Sequence, residues 1–292
     1  MNGVIVLNKP KGKTSHDMVY LCRKLFHIKR VGHTGTLDPN ATGVLPVCIG
    51  NATKAASYIT DSKKRYRAQI IFGARTDTLD ITGTVTQTGE ISFTSEQLLS
   101  VVQGFVGQIE QIPPMYSAIK IDGKKLYELA REGKSVAREP RQVTIYSINV
   151  DDSMLDSGYA MLDIECSKGT YIRTLCDDIG ERLGCFAHMG ELVRTYSGGF
   201  DILQSYTVLE LEELLDKGKL ESALISTDDI FSGYDKLLLD KKETNKVKNG
   251  VPLIKSGLIE DKNYRLYDEN GGFLCISKQI EGVLKMQISF WT

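Results

Sequence analysis

Apolar residues recur along this chain with the spacing of both strands and helices. Residues 4–7 form a short apolar run that is typical of a buried strand. Apolar positions between residues 18 and 26 follow the three-to-four spacing of one helix face, and Thr14 or Ser15 can cap that helix. The pattern therefore predicts a strand, a turn and an amphipathic helix at the beginning of the chain.

The middle of the chain mixes further strands and helices without a regular repeat. Strands are predicted at residues 67–72, 143–150 and 159–166. A capping-box sequence at residues 94–97 (TSEQ) predicts the start of one helix, and the apolar spacing over residues 172–183 predicts another. This order lacks the regular alternation of a doubly wound fold and indicates an α+β fold.

Two segments differ in composition from the rest. Residues 115–142 are largely polar and basic and are interrupted by glycines and a proline, which predicts a projecting hairpin or arm. From residue 231 onward, short strand-like runs alternate with glycine-containing turns. We therefore expect a large domain over residues 1–230, with the arm, and a small β-rich domain over residues 231–292.

Charge is distributed unevenly, although the net charge is only −1. Residues 1–75 contain 13 Lys or Arg against three acids, whereas residues 201–235 contain nine acids against two lysines. A basic surface can face phosphates while an acidic one maintains solubility, although charge runs also occur on surfaces that contact only water. The distribution is compatible with a nucleic-acid partner.

Several classes of protein are disfavoured by features that the sequence lacks. No apolar run approaches the roughly 18 residues of a membrane span, and the first residues do not resemble a leader, so we expect a cytoplasmic protein. The six cysteines form no CxxC pair, which argues against a disulfide framework or a zinc site. Gly12-Lys13-Thr14 is similar to the end of a P-loop, but Leu7 stands where that loop requires a glycine.

The glycine-rich segment 30–50 (RVGHTGTLDPNATGVLPVCIG) predicts a tight loop that presents one carboxylate, Asp38, before a proline. An Asp-Pro pair in such a segment is commonly a structural turn. Here the loop lies in the most basic part of the chain and also contains His33, which favours a functional role.

Five segments of the chain carry a family resemblance. They are KPKGKTS at 9–15, GHTGTLDPNATG at 32–43, KRYRAQIIFG at 64–73 with the following RTDTLDITG, PPMYSAIKIDGKKLYELAREG at 113–133 and CSKGTYIRTL at 166–175. In these segments the chain closely resembles bacterial tRNA pseudouridine-55 synthases, the TruB family. The resemblance implies the pseudouridine synthase fold, an α+β fold with a mixed, mostly antiparallel central sheet flanked by helices, followed by a small PUA-like domain.

The resemblance also implies an activity, the isomerisation of uridine to pseudouridine at position 55 in the T-loop of tRNA. This reaction breaks the bond from ribose to N1, rotates the base and rejoins it at C5, and the target base must be flipped out of its stack. By resemblance, Asp38 is the catalytic carboxylate, Arg173 pairs with it and Tyr66 stacks on the uracil. Whether Asp38 attacks the base, attacks the ribose or removes a sugar proton stays open.

Further residues are assigned to substrate binding by the same resemblance. His33 is expected near the flipped nucleotide, Tyr171 and Leu192 in the uridine pocket, and Lys9 and Lys64 among the substrate-binding groups. One departure is visible in Leu-Val-Arg-Thr at residues 192–195, because the family usually has Leu-Arg-Arg-Thr.

Elementary chemistry agrees with these roles. A guanidinium at Arg173 would orient Asp38 and hold down its pKa. Tyr66 follows three basic residues, a combination suited to RNA that is splayed open, although the same tyrosine could simply face a core. The arm has seven basic residues against four acids and is the expected RNA clamp, although a solvated hairpin could have the same composition.

Neither the chemistry nor the sequence calls for a cofactor or a metal. Asp77 and Asp80 have no nearby histidine, and Asp77 is expected to accept backbone hydrogen bonds in a loop. We expect tRNA, bound at its T-arm and elbow, as the partner of a monomer with no membrane contact and no obligate protein partner. A non-catalytic RNA-binding protein is the alternative, but it would not need Asp38 and Arg173 together. An aspartyl-nucleophile hydrolase would need a second acid or a metal set.

Overall fold

The computed structural model describes residues 1–117, 119–121 and 123–291. The α-helices in these ranges are α1 (Ser15–Phe26), α2 (Ala56–Thr60), α3 (Ser95–Gln103), α4 (Leu126–Arg131), α5 (Ile172–Arg182), α6 (Val208–Asp216), α7 (Thr227–Ile230) and α8 (Lys241–Lys248). The strands are β1 (Gly3–Lys9), β2 (Val31–His33), β3 (Thr42–Ile49), β4 (Lys64–Phe72), β5 (Ala74–Thr76), β6 (Val85–Thr88), β7 (Gly107–Gln111), β8 (Lys120–Ile121), β9 (Lys124–Lys125), β10 (Arg141–Asp151), β11 (Tyr159–Cys166), β12 (Ala187–Ser197), β13 (Phe200–Asp201), β14 (Asp235–Leu238), β15 (Asn263–Tyr267), β16 (Phe273–Ile280) and β17 (Val283–Ser289).

A nine-stranded sheet, counted over the described residues, forms the centre of the molecule. Its order is β1-β3-β12-β4-β11-β10-β7, with β2 beside β3 and β13 beside β12. Strands β12 and β3 run parallel, whereas the other described pairs in this sheet are antiparallel. The predicted mixed, mostly antiparallel sheet is confirmed.

Helices α1, α3 and α5 pack on one face of this sheet. Their buried positions, such as Met18, Leu98 and Leu175, join one continuous apolar core with the inward face of β4. Along β4 the side chains alternate between buried and more exposed, so that Tyr66 and Ala68 face inward while Arg67 faces solvent. Burying each large apolar side chain contributes about 1.5–3 kcal/mol, and the two-residue period of β4 therefore fixes where Tyr66 points.

Side-chain caps determine where two of these helices begin. The Asp17 amide donates to Thr14 Oγ1 over 3.0 Å, and the Thr14 amide donates to Asp17 Oδ2 over 2.8 Å. Thr94 and Gln97 form the same reciprocal arrangement at the start of α3. Each box satisfies backbone donors that the first helical turn leaves without partners. The structure confirms the predicted capping box at residues 94–97, and it selects Thr14 as the cap of α1.

A second sheet, in the order β14-β15-β16-β17, lies in the C-terminal part of the chain. Its own apolar core includes Leu239, Val247, Leu266 and Leu284. Val247 belongs to α8, a helix that the strand-and-turn reading of this region did not predict. The domain boundary between residues 230 and 231 stays a prediction.

The second sheet is attached to the first part of the chain by aromatic rings and by backbone carbonyls. The Phe231 ring lies 5.4 Å from the Tyr58 ring of α2 and 5.8 Å from the Phe290 ring, between centroids. Lys54 Nζ donates to the Ser289 carbonyl over 2.8 Å. The strand β17 therefore reaches the segment that leads into α2.

The arm consists of the short hairpin β8–β9 and the helix α4. Its one fully buried large side chain within the described residues is Leu126, and Arg138 donates to the Pro113 carbonyl over 2.9 Å. Ala118 and Asp122, which belong to the predicted arm, lie outside the described residues.

Across the described ranges, no helix has both the length and the apolar character that crossing a membrane requires.

Candidate active site

Asp38 lies in the loop between β2 and β3, and buried side chains hold that loop from two sides. Lys9 Nζ donates to the Pro39 carbonyl over 3.0 Å. On the other side, Arg194 Nη2 donates to the Gly35 carbonyl over 3.0 Å, while its Nη1 lies 3.4 Å from the Thr36 carbonyl. Both cations are essentially inaccessible to solvent. Residues 34–39, called the catalytic loop for the role that the sequence predicts for Asp38, are thus fixed by buried donors at the Gly35, Thr36 and Pro39 carbonyls.

The Asp38 carboxylate forms an ion pair with Arg173, which lies in the first turn of α5. Arg173 Nε is 3.0 Å from Asp38 Oδ2, and Nη2 is 3.3 Å from Oδ1. Nη2 also donates to the Tyr116 carbonyl over 2.8 Å, and Nη1 donates to the Thr78 carbonyl over 3.2 Å. One buried guanidinium therefore joins the catalytic loop, the arm and the loop after β5. This fork geometry is the one that an arginine supplies and a lysine does not.

Opposing effects set the protonation of Asp38. Burial raises the pKa of the Asp38 carboxyl, and this is the largest effect, although 39% of its side chain faces open space. The Arg173 guanidinium lowers that pKa, Asp80 raises it and Lys9 lowers it. Arg173 is therefore the main group that favours the ionised form of Asp38 against the larger effect of burial.

Residues of the β5–β6 loop contact Arg173 and are themselves held by hydrogen bonds. Asp80 Oδ2 lies 3.8 Å from Arg173 Nη1, and its Oδ1 accepts hydrogen bonds from the Thr82 amide and from the hydroxyls of Thr78 and Thr82. Asp77 Oδ1 accepts from the Thr84 amide over 2.8 Å, as predicted for a residue that fixes a loop. Sequence reasoning did not predict the contact between Asp80 and Arg173.

Two cavities meet at Asp38, Arg173 and Leu192. The larger, of about 680 Å³, is also lined by His33 and by side chains of the arm. The smaller, of about 400 Å³, is also lined by Tyr66, Tyr171, Lys64, Lys168 and Arg194. The structure therefore places Tyr66, Tyr171, Leu192 and Lys64 around one cavity and His33 beside the other, with the ion pair between them.

The two tyrosines are presented by rigid elements. Tyr66 projects inward from β4, and burial raises the pKa of its hydroxyl, which keeps it neutral. Tyr171 precedes α5, and the side-chain amide of Gln111 accepts from the Tyr171 amide over 3.0 Å and donates to its carbonyl over 3.2 Å. The buried Gln111, which sequence reasoning missed, thus fixes the backbone just before Arg173.

His33 is a neutral group in this site. The Gly35 amide donates to His33 Nδ1 over 3.3 Å, and that nitrogen can accept only in a neutral ring. Burial, followed by the nearby charges of Arg194 and His16, lowers the pKa of His33 in agreement with this. An uncharged imidazole can pack against a base without the desolvation cost of a cation.

The two lysines differ in how they lie toward the cavities. Lys9 lines neither cavity; its ammonium donates to the carbonyls of Pro10, Lys13 and Pro39, and burial lowers its pKa to about 8. Lys64 lines the smaller cavity but donates to the carbonyls of Thr60 and Ser62, and burial likewise lowers its pKa to about 8. Their predicted part in substrate binding stays a prediction. The contacts indicate that Lys9 holds the catalytic loop.

Val193, the departure from the usual Leu-Arg-Arg-Thr sequence, points away from the site. It pairs with Thr42 of β3 and Arg67 of β4, whereas its neighbours Leu192 and Arg194 are buried toward the cavity. The retained arginine is therefore the one that holds the catalytic loop. Among the described residues, no cluster of His, Cys, Asp or Glu has an arrangement that could hold a metal ion.

Comparison with known families identifies the class. The sequence profile described as the TruB family pseudouridylate synthase N-terminal domain matches residues 23–172, and that of the tRNA pseudouridylate synthase B C-terminal domain matches residues 173–238. The chain belongs to the TruB family of pseudouridylate synthases.

Individual relatives agree with this assignment. The chain is 43% identical over 282 residues to tRNA pseudouridine synthase B of Bacillus cytotoxicus, an alignment that covers 94% of this chain and 92% of the relative. It is 45% identical over 278 residues to tRNA pseudouridine synthase B of Caldanaerobacter subterraneus subsp. tengcongensis, with 94% of each chain covered.

Solved structures support the fold. A chain of a Cbf5-Nop10-Gar1 complex superposes with a TM-score of 0.73 at 24% identity, which covers 99% of this chain and 84% of that one. A chain of an H/ACA RNP bound to a substrate RNA containing 2'-deoxyuridine gives a TM-score of 0.73 at 22% identity, with 99% and 85% covered. At these identities the similarity extends to the fold alone.

Proposed function

We propose that this pseudouridylate synthase isomerises the uridine at position 55 in the T-loop of tRNA, with Asp38 as its catalytic carboxylate. The observation that carries the proposal is the Asp38–Arg173 ion pair at the junction of two cavities. The relatives at 43% and 45% identity are named tRNA pseudouridine synthase B, which supports tRNA as the substrate.

The residues around the smaller cavity suit a flipped uridine. Its volume of about 400 Å³ accommodates one nucleotide, and the rings of Tyr66 and Tyr171 and the apolar side chain of Leu192 supply surfaces for a base. Flipping costs a few kcal/mol, which contacts between basic side chains and RNA phosphates offset. Once the base excludes water, the bonds from Arg173 to Asp38 strengthen, and the carboxylate is held ionised beside the bond that breaks.

We further propose the division of labour that the composition suggested. Residues 1–230 carry the chemistry, and residues 231–292 form a PUA-like unit that contacts RNA. The enzyme acts as a cytoplasmic monomer on the T-arm and elbow, without a cofactor or an obligate protein partner. The separate core of the second sheet supports the first part of this proposal.

Tritium release tests the catalytic proposal. A T-arm transcript labelled with tritium at uridine C5 is incubated with the parent protein, with Asp38→Asn, and with Asp163→Asn as a control on the exposed face of β11. We expect release by the parent and the control and none by Asp38→Asn at equal RNA occupancy, because C5 loses its hydrogen only when the new bond forms. A transcript with cytidine at position 55 and labelled uridines elsewhere should release nothing.

Two results would overturn the proposal. Tight binding by the parent without release would leave a non-catalytic RNA-binding protein for this substrate. Release from the cytidine-55 transcript would show that the uridine is selected at a different position.

A further inference from the structure

A second arginine–carboxylate pair joins Arg75 of β5 to Asp177 of α5 and lines neither cavity. Arg75 Nε donates to Asp177 Oδ1 over 2.5 Å and Nη2 donates to Oδ2 over 2.9 Å. The side chains are 21% and 12% exposed, and Arg75 Nη1 also donates to Gln87 Oε1 over 3.0 Å. Two parallel bonds between a planar guanidinium and a carboxylate fix both distance and orientation.

Contacts of Arg173 and of Asp177 connect the same two elements, helix α5 and the β5–β6 hairpin. Arg173 and Asp177 lie four residues apart, on one face of α5. Arg173 holds the hairpin at the Thr78 carbonyl, and Asp177 holds it at Arg75, the middle residue of β5. The backbone from Arg75 to Thr78 therefore spans two anchor points on one rigid helix.

The turn that contains Leu79, between Thr78 and Asp80, is strained. Leu79 has a φ of +62°, a left-handed conformation that is unfavourable for a residue with a branched side chain. The Leu79 carbonyl accepts from the Met189 amide over 3.0 Å. A Cβ atom on Gly83 would clash with Thr78 Oγ1, so the turn is also tightly packed on itself. Such a turn keeps its shape only when its surroundings determine it.

We infer that Arg75 and Asp177 are positioning residues for the isomerisation, and the inference rests on the proposed function. They fix the position of the β5–β6 hairpin, so that the Thr78 carbonyl and Asp80 contact Arg173. Arg173 in turn orients Asp38 from its other side. Neither residue of the pair lines a cavity, so we place the pair outside the contact surface for the substrate.

Asp177→Asn tests this inference, with Glu181→Gln as its matched control. Both substitutions remove a carboxylate partner of Arg75, but Glu181 is 63% exposed and contributes a single contact of 3.2 Å. The measurements are the rate constant of one turnover at saturating tRNA, the Kd for tRNA, both over a range of pH, and the thermal unfolding midpoint.

We expect Asp177→Asn to lower the single-turnover rate constant about 30-fold, since small misplacements of catalytic groups cost up to about 100-fold. The Kd should stay within about twofold, because the pair does not face the cavities. The acid limb of the pH–rate profile, where the rate falls as Asp38 is protonated, should move to higher pH. Burial and Asp80 raise the pKa of Asp38, and once Arg173 is displaced only Lys9 still lowers it. Glu181→Gln should behave like the parent.

A parent-like rate and acid limb for Asp177→Asn would overturn the inference, as would a lowered unfolding midpoint with an unchanged acid limb. If Asp177→Asn does not fold, Arg75→Lys replaces it, because this substitution keeps the charge but loses the fork. The inference then requires that Arg75→Lys also moves the acid limb to higher pH. An inactive parent would refute the proposed function, whereas an active parent with parent-like variants would refute this inference alone.

Discussion

The catalytic loop and the arm face each other across the larger cavity, yet the protein holds them in opposite ways. Carbonyls of the catalytic loop accept hydrogen bonds from the buried cations Lys9 and Arg194. The arm has strands of two residues, one short helix and a single fully buried large side chain, Leu126, within its described part.

Under the proposed function, this difference separates chemistry from recognition. A carboxylate that acts on a bond must be positioned before the substrate arrives, because reorganisation during the reaction adds to the barrier. A surface that grips a folded RNA gains from being able to adjust to it. The comparison predicts that substitutions beneath the catalytic loop change the rate, whereas substitutions in the arm change affinity.

The largest effect is expected from Arg173→Lys, which keeps the positive charge but loses the fork. A lysine cannot hold Asp38, the Thr78 carbonyl and the Tyr116 carbonyl at once, so the single-turnover rate should fall about 100-fold. Because Arg173 lowers the raised pKa of Asp38, weakening this pair should move the acid limb of the rate to higher pH. Stopped reactions over a pH series measure both.

The matched control is Arg182→Lys on the same helix. Its guanidinium lies 4.0 Å from the centroid of the Phe105 ring and lines neither cavity. A similar loss of rate in the control would mean that any arginine of α5 is needed, and the special role of Arg173 would be wrong.

A smaller effect on rate, with a loss of stability, is expected from Arg194→Met. The substitution leaves the carbonyls of Gly35, Thr36 and Val44 without their buried donor, which should lower the free energy of unfolding by about 3 kcal/mol. Denaturant titration measures that loss, and single turnovers at a temperature where the variant is folded measure the rate.

Arg67→Met on the neighbouring strand is the control for Arg194. Arg67 is 47% exposed and contacts Asp151 and Asp163 at 3.6 and 3.7 Å, so its loss should cost less than about 1 kcal/mol. Equal destabilisation by the two substitutions would contradict the view that Arg194 holds the catalytic loop.

The smallest effect on rate is expected from Arg131→Ala in the arm. Arg131 lines the larger cavity, and its removal should weaken tRNA binding and reduce the slope of log affinity against log salt by about one. The rate at saturating tRNA and the unfolding midpoint should not change. Binding titrations at several salt concentrations provide the measurement.

Lys134→Ala is the corresponding control within the arm. Lys134 is exposed, pairs with Glu132 over 2.7 Å and does not line the cavity. If both variants lose the same affinity, the arm contributes only diffuse charge and no defined contact.

Local patterns predicted much of the fold. The strand from Tyr159 to Cys166 begins and ends as predicted, and the predicted helix over residues 172–183 differs from α5 by one residue. The sequence identifies Thr94 as a cap, because capping depends on residues three positions apart. The central strand β12 was not predicted, since its glycine and charged residues hide the alternation that burial on both sides would otherwise show.

The site was predictable where a motif marks it and not where contacts join distant segments. Asp38 stands out in a glycine-rich loop, and the resemblance supplied its partner. Arg194 donates hydrogen bonds to carbonyls 150 to 159 residues away in the chain, and Gln111 donates to the Tyr171 carbonyl across 60 residues. Donors that bond to backbone carbonyls leave no signal in the sequence, because any residue supplies the carbonyl.

The contact of β17 with the segment before α2 has a consequence for biosynthesis. Asn51 donates to the Phe290 carbonyl across 239 residues of chain, so this contact can form only after residue 290 has left the ribosome. Contacts between such distant residues also slow folding, because a long loop must close first. A nascent chain therefore completes the support of the segment that leads into α2 late in its synthesis.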